Sequence, residues 1–247
     1  MVVYEDKEVS EMKPKIITAY NAKGGVWKTS VIHNLAYALS KNSKVLMIDL
    51  DQQASLTVSC GVDTKKYTSY NLLIGEKIRP IKLTDNVSLI PADLQLSIID
   101  DELMATKKPF AVLSKRLLAI KDYDYILIDT PPALSLISMN AIYTADVLLV
   151  PVDCSYLSFM GIKTVEDTIS KLGKKINGIV ATRYNARTTD CRSVVELLEK
   201  KYNVVGKISE STKAKESLYY GLPIVEHMPN HKISKQYQEL AENIRRL

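Results

Sequence analysis

Lys23-Gly24-Gly25-Val26-Trp27-Lys28-Thr29-Ser30 sets two glycines between two lysines and follows the second lysine with two hydroxyls. An apolar run, Ile16-Ile17-Thr18-Ala19-Tyr20, precedes it, and Val31, Ile32, Leu35, Ala36 and Leu39 follow it at helical spacing. Strand, glycine-bearing loop and helix in that order form an anion site. Successive backbone N–H groups point into the loop, and the helix N-terminus adds partial positive charge. In the phosphate-loop pattern G-x-x-x-x-G-K-[ST], the lysine reaches the β- and γ-phosphates and the hydroxyl reaches Mg²⁺. Those two positions are Lys28 and Thr29, whereas Ala22 and Trp27 stand where the pattern has glycine. A plain glycine turn between strand and helix would leave two lysines and Thr29 at these offsets without a reason.

A chain of 247 residues of which 46% are hydrophobic can bury a substantial core, and one large α/β domain over residues 15–247 is expected. Residues 1–14 read as a short flexible arm, polar and acidic and so unlike a signal peptide. No apolar run reaches the roughly 18 residues of a membrane-spanning helix. A net charge of +5 permits a polyanionic partner without requiring one. Cys60, Cys154 and Cys191 are widely spaced and read as buried free thiols of a reducing compartment. His33, His227 and His231 are isolated and read as surface or helix residues rather than ligands.

Strands are expected over 15–20, 44–49, 87–91, 125–129, 146–151, 177–182 and 204–208, and helices over 28–40, 70–73, 94–105, 110–120, 135–144, 159–172 and 190–201. A last helix carries Ile233, Tyr237, Leu240 and Ile244 on one face, read as core packing. Strands alternating with helices give an α/β fold, a mostly parallel twisted sheet covered on both faces, with ligands at the carboxyl ends of its strands. Asp49 and Asp129 end two apolar strands and Asp51 follows closely. Carboxylates so placed beside a phosphate loop hold Mg²⁺ or position an attacking water. Asp63 and Asp93 read instead as caps or loop charges.

What remains of the loop, K-G-G-x-x-K-[TS], resembles the deviant Walker A loop of the ParA/MinD ATPases, phosphate-loop NTPases with an extra lysine at the position of Lys23. The resemblance extends over nearly the whole chain after residue 14. VLMIDLDQQASLT (45–57), YDYILIDTPPALSLISMNA (123–141), ADVLLVPVDCSYLSFMG (145–161), YNART (184–188) and ESLYYGLPIVE (216–226) all resemble ParA segments in the same order. It implies ATP and Mg²⁺ as cofactors, with Lys23, Gly24, Gly25, Val26, Trp27, Lys28, Thr29 and Ser30 around the phosphates. Lys23, Lys28 and Asp51 are then the catalytic residues. Asp51 acts on the attacking water, and Lys23 reaches the phosphates of the partner subunit in an ATP-bound homodimer. Thr29, Asp49 and Asp129 serve the metal.

The implied function is that of a partition ATPase of the small ParA class. It dimerises on ATP, binds double-stranded DNA without sequence preference, and hydrolyses ATP when stimulated by a ParB-like centromere-binding protein, in the cytoplasm on the nucleoid. Lys213, Lys215 and Arg192 are the candidate DNA contacts, although lysines scattered over a surface are common. Gln52 replaces the family's usual proline, and Ser209 stands where proline often lies near the adenine, so the base contacts are unassigned. Two rivals are a MinD-like membrane-associated ATPase and a nonenzymatic DNA-binding scaffold whose nucleotide site Trp27 has disabled. At Trp27 the family has glycine. The indole either swings outward over the loop or tilts the peptide and crowds the phosphates, and impaired rather than abolished activity is the reading.

Overall fold

The structure, a computed structural model, describes residues 13–63 and 66–247. The arm expected over 1–14 lies outside the described residues except for Lys13 and Pro14. β1 (Lys15–Ala19) runs through the loop into α1 (Lys28–Leu39). β2 (Val45–Asp49) is followed by α2 (Ser55–Ser59), α3 (Ser69–Ile74), β3 (Ile81–Lys82) and β4 (Val87–Ile90). α4 (Ile99–Met104) and α5 (Val112–Leu117) lead to β5 (Tyr125–Asp129). Then come α6 (Leu136–Thr144), β6 (Val147–Asp153), α7 (Tyr156–Lys171), β7 (Gly178–Thr182), α8 (Thr189–Lys201) and β8 (Val204–Lys207). α9 (Thr212–Glu216), α10 (Ile224–His227) and α11 (Lys232–Arg245) complete the order.

The strands form one eight-stranded sheet in the order β3-β4-β2-β5-β1-β6-β7-β8. Every pairing is parallel except the edge pair β3–β4. β2 and β6 are buried at every position and β5 at all but its first, as continuous apolar strands between two helical layers should be. Alternate side chains divide the core by face. Ile17, Met47, Leu127 and Leu149 pack with α1, α10 and α11, whereas Ile16, Leu46, Ile126 and Leu148 face the layer of α3 to α8. The α11 stripe Ile233, Tyr237, Leu240 and Ile244 is buried in the first of these, as the periodicity predicts.

Several elements differ from expectation for local reasons. The helix expected over 94–105 begins as a 3₁₀ turn, Leu94–Ile98, whose entry Asp93 caps by accepting from Gln95 N. The one expected over 110–120 starts as a 3₁₀ turn at Pro109 and ends as α5 at Leu117. α7 starts earlier than expected because the Ser155 hydroxyl accepts from Ser158 N and caps it. α2, α9, α10 and β3 span two to five residues, too short for any periodicity to register. Cys60 and Cys191 are buried thiols, but Cys154 is half-exposed. His33 is buried inside α1, His231 Nδ1 caps α11 by accepting from Ile233 N, and His227 stacks on Tyr220.

Candidate functional site

The loop is fixed at its entry by Asn21, which the sequence reading did not single out. Its Nδ2 donates to Pro151 O at 2.8 Å and its Oδ1 accepts from Lys23 N at 2.9 Å. An asparagine directly after a strand, able to bond its own backbone two residues on, was the available signal. The far side is held by Thr182 at the end of β7, whose hydroxyl donates to Val26 O. Lys28 is buried, and its ammonium donates to Asn21 O at 3.0 Å and Lys23 O at 3.4 Å, lying across the loop from inside. Burial pulls its pKa down, while Asp129 and Asp51 oppose that shift.

Two residues of the loop are left-handed, Gly25 at φ 72° and Trp27 at φ 66°, ψ 30°. Trp27 therefore keeps the backbone conformation that glycine favours, and α1 starts normally behind it with Val31 N donating to Trp27 O. Its ring is half-buried against the α1 side of the core and lies under the Arg183 guanidinium, 5.6 Å from the ring centroid. A left-handed L-residue costs roughly 1–2 kcal/mol. Trp27→Gly and Trp27→Ala both remove the indole, but only glycine removes that strain. The glycine variant is therefore expected to be the more stable of the two by about 1–2 kcal/mol. Thermal or urea denaturation of the pair measures this, and an alanine variant at least as stable would contradict the strain.

Asp49 and Asp129 are register partners at the carboxyl ends of β2 and β5. Both are completely buried, and burial, reinforced by the other carboxylates, pushes each upward from the ordinary range. Their bonding differs. Asp49 Oδ1 accepts from Asp51 N, and Oδ2 accepts from Thr57 N at 2.9 Å and Thr57 Oγ1 at 2.8 Å, so Asp49 staples the turn into α2. Asp129 Oδ2 accepts from Thr29 Oγ1 at 2.6 Å, while its Oδ1 is buried with no hydrogen-bond partner. Asp51 is partly exposed and accepts from Gln53 N.

Lys23 turns toward its own chain. Its ammonium donates to Asp153 Oδ2 at 2.9 Å and to Ser158 Oγ at 2.6 Å. Burial pushes the Asp153 carboxyl up, but hydrogen bonds from Ser158, Ser155 and Lys23 outweigh it and hold the group below its ordinary range. Asp153, Ser155 and Ser158 were not among the sequence-derived candidates. Gly24 and Gly25 are exposed at the loop surface, and Ser30 lies in the first turn of α1. Lys213 and Lys215 lie on α9, paired with Glu216 and Glu210. Arg192 lies on α8, its guanidinium donating to Ala186 O and Thr189 Oγ1.

Residues 14–182 match the family described as an AAA domain. The chain is 32% identical to the sporulation initiation inhibitor protein Soj of Bacillus subtilis (strain 168), over 93% of this chain and 98% of the relative. It is 31% identical to the chromosome-partitioning ATPase Soj of Treponema pallidum (strain Nichols), over 93% and 96%. Among solved structures it resembles a putative plasmid partition protein from Borrelia burgdorferi B31 bound to AMPPNP, with a TM-score of 0.83, 28% identity and coverage of 95% and 99%. It also resembles the Cyanothece McdA(D38A)–ATP complex, with a TM-score of 0.82, 25% identity and coverage of 94% and 96%. Two independent signs, a deviant loop between β1 and α1 and relatives aligned over nearly their full length, converge: the chain belongs to the ParA/Soj family of phosphate-loop partition ATPases.

Proposed function

We propose that residues 15–247 form one ATPase domain that binds Mg·ATP in this loop, dimerises around it, and in that state holds double-stranded DNA without sequence preference. The observation that carries the reading is Asp129. A buried carboxylate oxygen without a partner, on the same group that engages Thr29, is suited to a cation and costly otherwise. No group of three or more His, Cys, Asp or Glu placed to hold a metal occurs among the described residues. Mg²⁺ suits that donor set, because it takes one or two protein oxygens and completes its shell with phosphate and water. Thr29 and Asp129 would hold it, with Asp49 behind them orienting the turn that carries Asp51. Its contribution when bound is neutralisation of charge on the β- and γ-phosphate oxygens.

This chain's own residues account for the rest. The N–H groups of Gly24 to Thr29 cradle the phosphates, Lys28 exchanges its backbone carbonyl partners for phosphate oxygens, and Asp51 orients the attacking water. Lys23 must leave Asp153 and Ser158 to reach the nucleotide of a second subunit, so the Asp153 pair favours the monomer until nucleotide competes for the lysine. Exposed apolar side chains at the same end of the sheet, Leu134, Tyr156, Leu157 and Met160, are suited to burial in such a dimer. A ParB-like centromere-binding protein as the stimulating partner, and a place in the cytoplasm on the nucleoid, complete the reading, which the family membership supports.

Cosedimentation with plasmid DNA and with anionic liposomes tests the reading. Retention on DNA with ATP but not ADP is the expected result, and retention on liposomes alone would favour a membrane-associated ATPase. For DNA contact, Lys213 and Lys215 would exchange exposed glutamate partners for phosphates, a small loss since solvent screens exposed pairs. Replacing both with alanine is expected to weaken binding equally on unrelated sequences and to flatten the salt dependence by roughly 0.9 per lost contact. Unchanged affinity and slope would remove them from the interface.

A further inference from the structure

At the amino-terminal ends of the strands, on the side of the sheet away from the phosphate loop, lies a groove of about 1430 Å³. Its walls include Ile16 of β1, Ile126 of β5, and Val112 and Leu117 of α5, with Leu118 exposed beside them. Lys13, Lys44, Lys107, Lys108 and Lys115 line the same groove with their side chains exposed. Among the described residues of the lining only Asp122 and Asp124 oppose them, and the Asp124 carboxylate already accepts from Lys44 N at 2.7 Å. An apolar floor rimmed by lysines calls for an occupant that is both acidic and apolar. Duplex DNA, which presents a broad polar backbone, has no use for the floor.

Such a segment is joined to the groove. Lys13 and Pro14, at the groove wall, are preceded in the chain by residues 1–12, Met-Val-Val-Tyr-Glu-Asp-Lys-Glu-Val-Ser-Glu-Met. Glu5, Asp6, Glu8 and Glu11 outnumber the single Lys7, and Val2, Val3, Tyr4 and Val9 supply apolar surface. Twelve residues can reach up to about 40 Å when extended, more than enough to enter a groove that begins at the next residue. We propose that residues 1–12 of this chain dock in this groove, their acids against Lys107, Lys108 and Lys115 and their apolar side chains on the floor. The tether makes the contact intramolecular, so an effective concentration in the millimolar range lets individually weak contacts suffice.

Zero-length carbodiimide cross-linking of the full-length protein, followed by peptide mass spectrometry, tests this. Amides joining Glu5, Asp6, Glu8 or Glu11 to Lys107, Lys108 or Lys115 are the expected result, within one chain when ¹⁴N- and ¹⁵N-labelled protein are mixed. The exposed pairs Lys213–Glu216 and Lys215–Glu210 should cross-link in the same sample and report that the reagent worked. A variant that leaves the groove untouched adds a separate readout: with Glu5→Gln, Asp6→Asn, Glu8→Gln and Glu11→Gln combined, Lys107, Lys108 and Lys115 should acetylate several-fold faster. Control amides without any groove amide would overturn the proposal, as would groove amides found only between chains, which would assign the groove to a second copy. Unchanged acetylation in that variant would overturn it as well.

Discussion

Asp51→Ala is expected to retain Mg·ATP with near wild-type affinity while its single-turnover hydrolysis falls by roughly 10²–10⁴-fold, the range for loss of a general acid or base. The geometry separates the two effects. The hydrogen bonds by which Asn21, Lys28 and Thr182 close the loop go to Pro151 O, Asn21 O and Val26 O and not to the Asp51 carboxylate, which acts on Lys28 only through its charge. The carboxylate makes one described hydrogen bond, from Gln53 N, and is partly exposed, so it is available to a water. An interaction made with the attacking water and absent from the bound ground state lowers kcat without weakening binding. Rapid-quench measurement on pre-bound ATP checks this, and wild-type rates in the variant would end the assignment.

Asp129→Asn is expected to change stability and nucleotide binding in opposite directions. The Asp129 carboxylate is fully buried beside Asp49, and burial holds its pKa above the ordinary range. The folded chain therefore binds more protons than the unfolded one as pH rises past the ordinary carboxylate range, and stability falls with pH there. Asparagine keeps an acceptor for the Thr29 hydroxyl without a charge to desolvate. The variant should melt higher at neutral pH and show a flatter decline of Tm with rising pH. Its Mg²⁺-dependent nucleotide affinity should fall by about 10–100-fold, as for loss of a group that supports a metal site. Thermal melts across pH, with calorimetric titration of ATP at several Mg²⁺ concentrations, decide it. A lower Tm with unchanged Mg²⁺ dependence would contradict both halves.

The parts of this site legible in the sequence are those whose chemistry is contiguous. Lys23 to Ser30 lie on one turn between a strand and a helix, so offset alone places Lys28 and Thr29. Asp129 was legible because an apolar strand ends on it. Asp49 was legible as a strand end, but its occupation was not, because its partner Thr57 belongs to α2, a helix too short for any period to show. Lys23 shows the limit most plainly. Its position was legible, yet Asp153 and Ser158 meet it from 130 and 135 residues away, through the alignment of β6 beside β1. The ion pairs of Lys213 and Lys215 are close in sequence, but composition alone did not distinguish a paired lysine from a free one. Trp27 was legible as a departure. That its backbone would stay left-handed and its ring would find Arg183 depends on packing from the end of β7.

A phosphate loop carrying Trp27 in place of glycine is expected still to bind Mg·ATP through Lys28. Calorimetric titration of ATP into the wild-type protein and into Lys28→Ala, with and without Mg²⁺, tests it most directly. Saturable binding that depends on Mg²⁺ and is lost in Lys28→Ala is the result predicted. No saturable binding to the wild type, or binding that Lys28→Ala leaves unchanged, would contradict it.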